Sequence, residues 1–146
     1  MSQPGRITAI DHVGIAVADL DQAIALYESA YGMTCVHTEV NEEQGVREAM
    51  MAVGDSGSYV QLLAPLSPDS PIGKFLDRSG PGIQQMAYRT DDVEALGDRL
   101  REQGLRLLYD VPKTGTAGSK VNFVHPKSAG GVLVELVQLG RDVLGH

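Results

Sequence analysis

Val121-Asn-Phe-Val-His-Pro-Lys-Ser-Ala-Gly-Gly-Val-Leu-Val-Glu-Leu-Val-Gln138 reads as strand, turn, strand. The second strand carries Glu135 among Val132, Leu133, Val134, Leu136 and Val137. An ionised carboxylate in such a run is expensive to bury unless it is paired or bound to a metal. Glu135 therefore demands a partner, and the search for one leads outward along the chain.

From the start, Ile10 to Val17 reads as a strand, and Asp19 precedes Leu20, Ile24 and Tyr27 at helical spacing. Asp19 with Gln22 resembles a capping box, and Gly32 is a C-terminal stop. Thr34 to Val40, Val46 to Val53 and Tyr59 to Leu63 read as three more strands, separated by the polar turns Asn41 to Gly45 and Gly54 to Ser58. This gives βαβββ over residues 7–66. Ser67-Pro-Asp-Ser-Pro71 opens a linker with a short helix around Ile72 to Leu76. The order then recurs over residues 83–138. Ile83 to Thr90 is a strand, and Asp91 or Asp92 caps a helix bearing Val93, Leu96 and Leu100 that Gly104 ends. Leu105 to Tyr109 is a strand, Pro112 to Gly118 a loop, and the opening hairpin closes the module.

Corresponding features fall about 73 positions apart: His12 with Gln85, Asp19 with Asp92, Gly32 with Gly104, Gln61 with Glu135. Two copies of so long a period indicate a duplicated module rather than a solenoid. The fold expected is α+β, with tandem βαβββ modules forming a curved mixed sheet around a shared cleft, all within one domain spanning residues 1–146. First-strand and last-strand residues of both modules would line that cleft, which places His12, Gln61, Gln85 and Glu135 at equivalent positions.

Composition limits the function classes. The chain has 146 residues, 42% of them hydrophobic, enough for a real core, and no tryptophan. The net charge is −7 with no run of Lys or Arg, which argues against nucleic acid as the main partner. No apolar stretch is long enough to span a bilayer, and Met-Ser-Gln-Pro-Gly-Arg at the start has no signal-peptide apolar region behind it. Cys35 stands alone, which excludes an internal disulfide and fits a reducing, cytoplasmic setting.

At these positions the chain resembles the vicinal oxygen chelate superfamily, which includes glyoxalase I, ring-cleaving dioxygenases and antibiotic-resistance binding proteins. Within it the chain is similar to the methylmalonyl-CoA epimerases. The stretches that carry the resemblance are Ile10-Asp-His-Val-Gly-Ile-Ala-Val17, Asn41-Glu-Glu-Gln-Gly-Val-Arg-Glu-Ala-Met-Met51, Leu107-Leu-Tyr-Asp-Val-Pro112, Asn122-Phe-Val-His-Pro-Lys127 and Gly131-Val-Leu-Val-Glu-Leu136. The resemblance implies an enzyme that interconverts (R)- and (S)-methylmalonyl-CoA, works as a homodimer and holds a divalent metal (Co, Mn, Zn, Ni or Mg) through His, Gln, His and Glu. Carried over, His12 matches the first ligand, Gln61 the second and Glu135 the fourth. The third departs from the pattern. The usual Gly-x-His-His segment reads Gly82-Ile-Gln-Gln-Met86, with Gln85 on the ligand position and Gln84 beside it. An amide oxygen is a weaker donor than imidazole for Zn, Co or Ni, which shifts the preference toward harder ions such as Mn or Mg.

Epimerisation removes a proton α to a thioester and returns one to the opposite face, so it needs two acid/base groups. The family precedent points to Glu48 and Glu135. Glu48 follows Val46-Arg47 and precedes Ala49-Met50-Met51, again a carboxylate on an apolar strand whose burial would raise its pKa. Lys113, Lys120 and Lys127 are candidates for CoA phosphate contacts.

Each residue also has a plainer reading. His12 alone is an ordinary hydrogen-bonded strand residue, and Gln61 or Gln84-Gln85 a polar strand face. Glu48 would turn to solvent if its strand slipped by one. Glu42-Glu43 form a solvated turn, His125 belongs to turn chemistry, and His146 is a tail residue. Two other functions share the fold: a glyoxalase-I-like lyase, and a non-catalytic small-molecule-binding protein, which the missing His at position 85 favours.

Overall fold

The computed structural model describes residues 3–140; Met1, Ser2 and the tail from residue 141, including His146, lie outside the described residues. Among the described residues, eight strands and three α-helices follow in the order β1 (Ile7–Ala16), α1 (Leu20–Ser29), β2 (Thr34–Asn41), β3 (Val46–Ala52), β4 (Tyr59–Pro65), α2 (Pro71–Ser79), β5 (Gly82–Thr90), α3 (Val93–Glu102), β6 (Lys113–Thr114), β7 (Lys120–Val124) and β8 (Val134–Gln138). Contacts divide the chain into two compact units. One holds residues 12–84; the other holds the residues up to 11 with those from 85 onward.

In the 12–84 unit the strands run in the order β2-β3-β4-β1. β1 pairs parallel with β4, and β4 and β2 pair antiparallel with β3, a mixed arrangement. α1 begins where Asp19 accepts a hydrogen bond from the Gln22 N–H, satisfying one of the donors that a helix start leaves open. Its buried Leu20 and Ala23 pack on Ala49, Met51, Leu62 and Ala64, the residues of one sheet face. Ile72 of α2 packs instead with Ala16, Val46 and Leu63 on the other face. Strand alternation assigns the rest of that second face: Glu48 and Met50 on β3, Tyr59 and Gln61 on β4, His12 and Gly14 on β1.

In the other unit the order is β5-β8-β7-β6, with β5 parallel to β8 and the remaining pairs antiparallel. Val93 and Leu96 of α3 pack with Val124 and Leu136 on one face, while Ala87, Val121 and Val137 cluster on the opposite one. Of the two aspartates before α3, Asp92 is the cap, accepting from the Ala95 N–H. Asp91 accepts from the backbone of Gly5 and Arg6. Arg99 donates to the carbonyls of Pro4 and Gly5, and Thr8 to that of Arg89, which explains why the first residues belong with β5 and α3. Gly5 itself has φ +83° and leaves no room for a Cβ, which would lie 2.5 Å from the Leu96 nitrogen.

One expected strand is absent. Leu105 to Tyr109 makes only an isolated bridge, Leu107 to Val124, and the short β6 forms inside the expected loop. Asn122 supplies the reason. Its side chain accepts from the Tyr109 N–H and donates to the Tyr109 carbonyl, replacing ladder bonds with side-chain ones. Asn122 is 2% exposed. Asn122→Ala should therefore leave the Tyr109 groups without those bonds and destabilise the protein by about 2–4 kcal/mol. The urea midpoint would drop at an unchanged m-value.

Candidate active site

Each unit buries one glutamate against one glutamine. In the 12–84 unit, Gln61 Nε2 donates to Glu48 Oε2 at 3.0 Å. Both residues are 3% exposed. The antiparallel register sets Met50 opposite Gln61 and Leu63 opposite Glu48, so the two polar side chains stand diagonally on one face with apolar neighbours. His12 is also 3% exposed and shares that face, two residues before Gly14, which is in register with Gln61. The slipped register that would have exposed Glu48 is not the one formed.

In the other unit, Gln85 Nε2 donates to Glu135 Oε1 at 2.5 Å, with both residues 7% exposed. Phe123 is in register with Glu135 and covers it from β7. Alternation along β5 decides between the paired glutamines. Gln85 and Ala87 share the face of Glu135 and Val137, whereas Gln84 points to the opposite one. Gln84 Oε1 is buried there without a hydrogen-bond partner among the described residues.

Two features escaped the sequence reading. Asp11, beside His12 in the chain and 2% exposed, is held by Arg89 Nε at 2.9 Å. The signal was available, since Asp11 is a carboxylate in an apolar strand just as Glu135 is. Glu39 stands in register with Glu48 across β2 and β3 and is bonded to His37 Nε2 at 2.6 Å. His37 and Glu39 lie two apart on a strand, the spacing that puts side chains on one face.

In both glutamate–glutamine pairs the carboxamide turns its nitrogen to the carboxylate. The lone-pair oxygen Oε1 is then the atom that Gln61 or Gln85 has for a cation. Oxygen donors with a single imidazole fit a hard divalent ion, Mn or Mg, better than Zn. Among the described residues, no three His, Cys, Asp or Glu side chains form a group that could hold a metal.

Comparison with known proteins agrees with this architecture. Residues 11–123 match the glyoxalase/bleomycin resistance protein/dioxygenase superfamily. The ethylmalonyl-CoA/methylmalonyl-CoA epimerase of Cereibacter sphaeroides is 37% identical over 135 residues, which is 91% of this chain and 99% of that protein. The crystal structure of methylmalonyl-CoA epimerase from Mycobacterium tuberculosis superposes with a TM-score of 0.91 at 54% identity, covering 96% of this chain and 93% of the other. A methylmalonyl-CoA epimerase in complex with methylmalonyl-CoA and NH4+ gives a TM-score of 0.91 at 46% identity, covering 94% and 99%. The chain belongs to that superfamily and, within it, to the methylmalonyl-CoA epimerase family.

Proposed function

We propose that the chain interconverts the C2 epimers of methylmalonyl-CoA, with Glu48 and Glu135 as the acid/base pair. The observation that carries this reading is the burial of two glutamates, each hydrogen-bonded to a glutamine. A carboxamide fixes the orientation of a carboxylate without bringing a charge to neutralise it. One glutamate removes the C2 proton as carboxylate; the other, as the acid, returns one to the opposite face. Burial keeps bulk water from competing for the carbanion.

His12, Gln61, Gln85 and Glu135 are the residues we assign to a divalent cation, an assignment that rests on family resemblance and on donor chemistry. When bound, the ion would act as a Lewis acid toward the enolate oxygen. The remaining parts of the proposal are a homodimer and a cytoplasmic location. The first rests on the family resemblance. The second is supported by the single Cys35. No helix among the described residues is long and apolar enough to cross a membrane. The epimerase reading is favoured over a glyoxalase-I-like lyase by the named relatives.

Glu48→Gln and Glu135→Gln keep an acceptor oxygen for the neighbouring amide but cannot cycle a proton. Each should lower kcat by about 10²-fold or more in a coupled epimerisation assay, with the melting temperature little changed. Activity near the wild-type level in either variant would remove that glutamate from the chemistry. Gln85→His places an imidazole where the family pattern has one. It should slow the loss of Co or Zn during dialysis against a chelator, read by elemental analysis. Identical retention would take Gln85 out of the donor set.

A further inference from the structure

The register of β2 against β3 shifts between Cys35 and His37. Cys35 is opposite Met51, and His37, two residues on, is opposite Met50, so Val36 is the extra residue of a bulge. Met51 belongs to the face that α1 covers, and Cys35 packs there with it. Met50 is opposite Gln61 and lies on the other face. Plain alternation would have put His37 and Glu39 on the α1 face with Cys35. The bulge turns both of them to the face of Glu48 and Gln61, the re-aiming of side chains that such an insertion provides.

The polar side chains of that face then form a row from β4 outward. Gln61 donates to Glu48, Glu48 is directly opposite Glu39, and Glu39 Oε1 lies 2.6 Å from His37 Nε2. Directly opposite residues hold their Cβ atoms about 5 Å apart, close enough for two glutamate carboxyl groups to pass a proton directly or across one water. Exposure rises along the row. Glu48 is 3% exposed, whereas the side chains of Glu39 and His37 are 28% and 31% exposed. β2 stands at the end of the strand order, so the row finishes at a sheet edge. A partly exposed His–Glu pair adds little stability in itself, and the bulge that aims it at Glu48 needs another reason.

Epimerisation supplies one. Each turnover leaves the acid/base pair reversed: one glutamate holds the proton it took from C2, and the other has given its own away. Before the same epimer can react again, one must lose a proton to water and the other must gain one. Glu48 is almost closed to bulk water.

We propose that Glu39 and His37 are positioning residues that form a proton route between Glu48 and solvent. Inward, water protonates the imidazole, Nε2 donates its proton to Glu39 Oε1, and Glu39 passes a proton to Glu48. The ring and Glu39 end with the charges they began with. Outward, the same transfers run in reverse and the proton leaves to water. Neither residue touches the reacting carbon. The inference rests on the reading of Glu48 as one of the two acid/base groups.

The test follows exchange and epimerisation together in deuterated water, from each epimer separately and at initial rates. Deuterium in recovered, uninverted substrate reports exchange on the glutamate that removed its proton. Glu39→Gln and His37→Asn should each lower the ratio of that exchange to epimerisation about 10²-fold for one epimer, the one that Glu48 deprotonates, and leave it unchanged for the other. A loss of packing alone would slow both epimers and shift neither ratio. An unchanged ratio in either variant, or an equal fall for both epimers, overturns the route. Wild-type epimerisation without any exchange into recovered substrate overturns it too. A wild-type protein that neither exchanges nor epimerises overturns the acid/base reading and the route with it, whereas unaltered ratios in an active enzyme overturn the route alone.

Discussion

The hydrogen bond from a glutamine amide to a buried glutamate is the constraint around which each unit is organised. Glu48 and Glu135 are embedded in apolar strands, where an unsatisfied carboxylate would be expensive. Gln61 and Gln85 answer each carboxylate with a neutral donor. Each amide bond offsets part of the cost of burying its carboxylate.

Everything around the pairs serves to place them. In the 12–84 unit, α1 covers the face of Ala49, Met51 and Leu62, which turns Glu48, Gln61 and His12 to the other side. In the other unit, α3 covers Leu136 and Val124, and Glu135 and Gln85 turn away from it. Asp11 and Arg89 hold the start of β1 against β5. Because side chains alternate strictly along a strand, a one-residue slip in one of these pairings would move the polar side chains of that strand to the helix-covered face.

The duplicated βαβββ plan was legible from spacing because α1 and α3 each follow a strand at the same offset and begin at an aspartate. The eight-stranded count was legible too, although one strand was misplaced: Leu105 to Tyr109 has a strand-like composition, but the side chain of Asn122 takes the bonds a ladder would have used. The choice between Asp91 and Asp92 was invisible because both are good caps, and only the distant Gly5 and Arg6 amides separate them. Glu135 announced itself as a charge in an apolar run. Its bond to Gln85 was not legible as such, since nothing local to either residue says that β5 and β8 are neighbours. Arg89 as the partner of Asp11 was hidden for the same reason, although Asp11 itself was as visible as Glu135, and the bond between His37 and Glu39, two apart, depends on side-chain rotamers that composition does not give.

The account stands or falls on proton chemistry at C2. The most direct measurement is incubation of a single methylmalonyl-CoA epimer with the wild-type protein in deuterated water, with deuterium at C2 followed alongside configuration. The account predicts deuterium entering C2 with inversion, since the proton returned by the second glutamate comes from a group that exchanges with solvent. A substrate that keeps both its C2 proton and its configuration in the presence of the folded, metal-supplemented protein would contradict it.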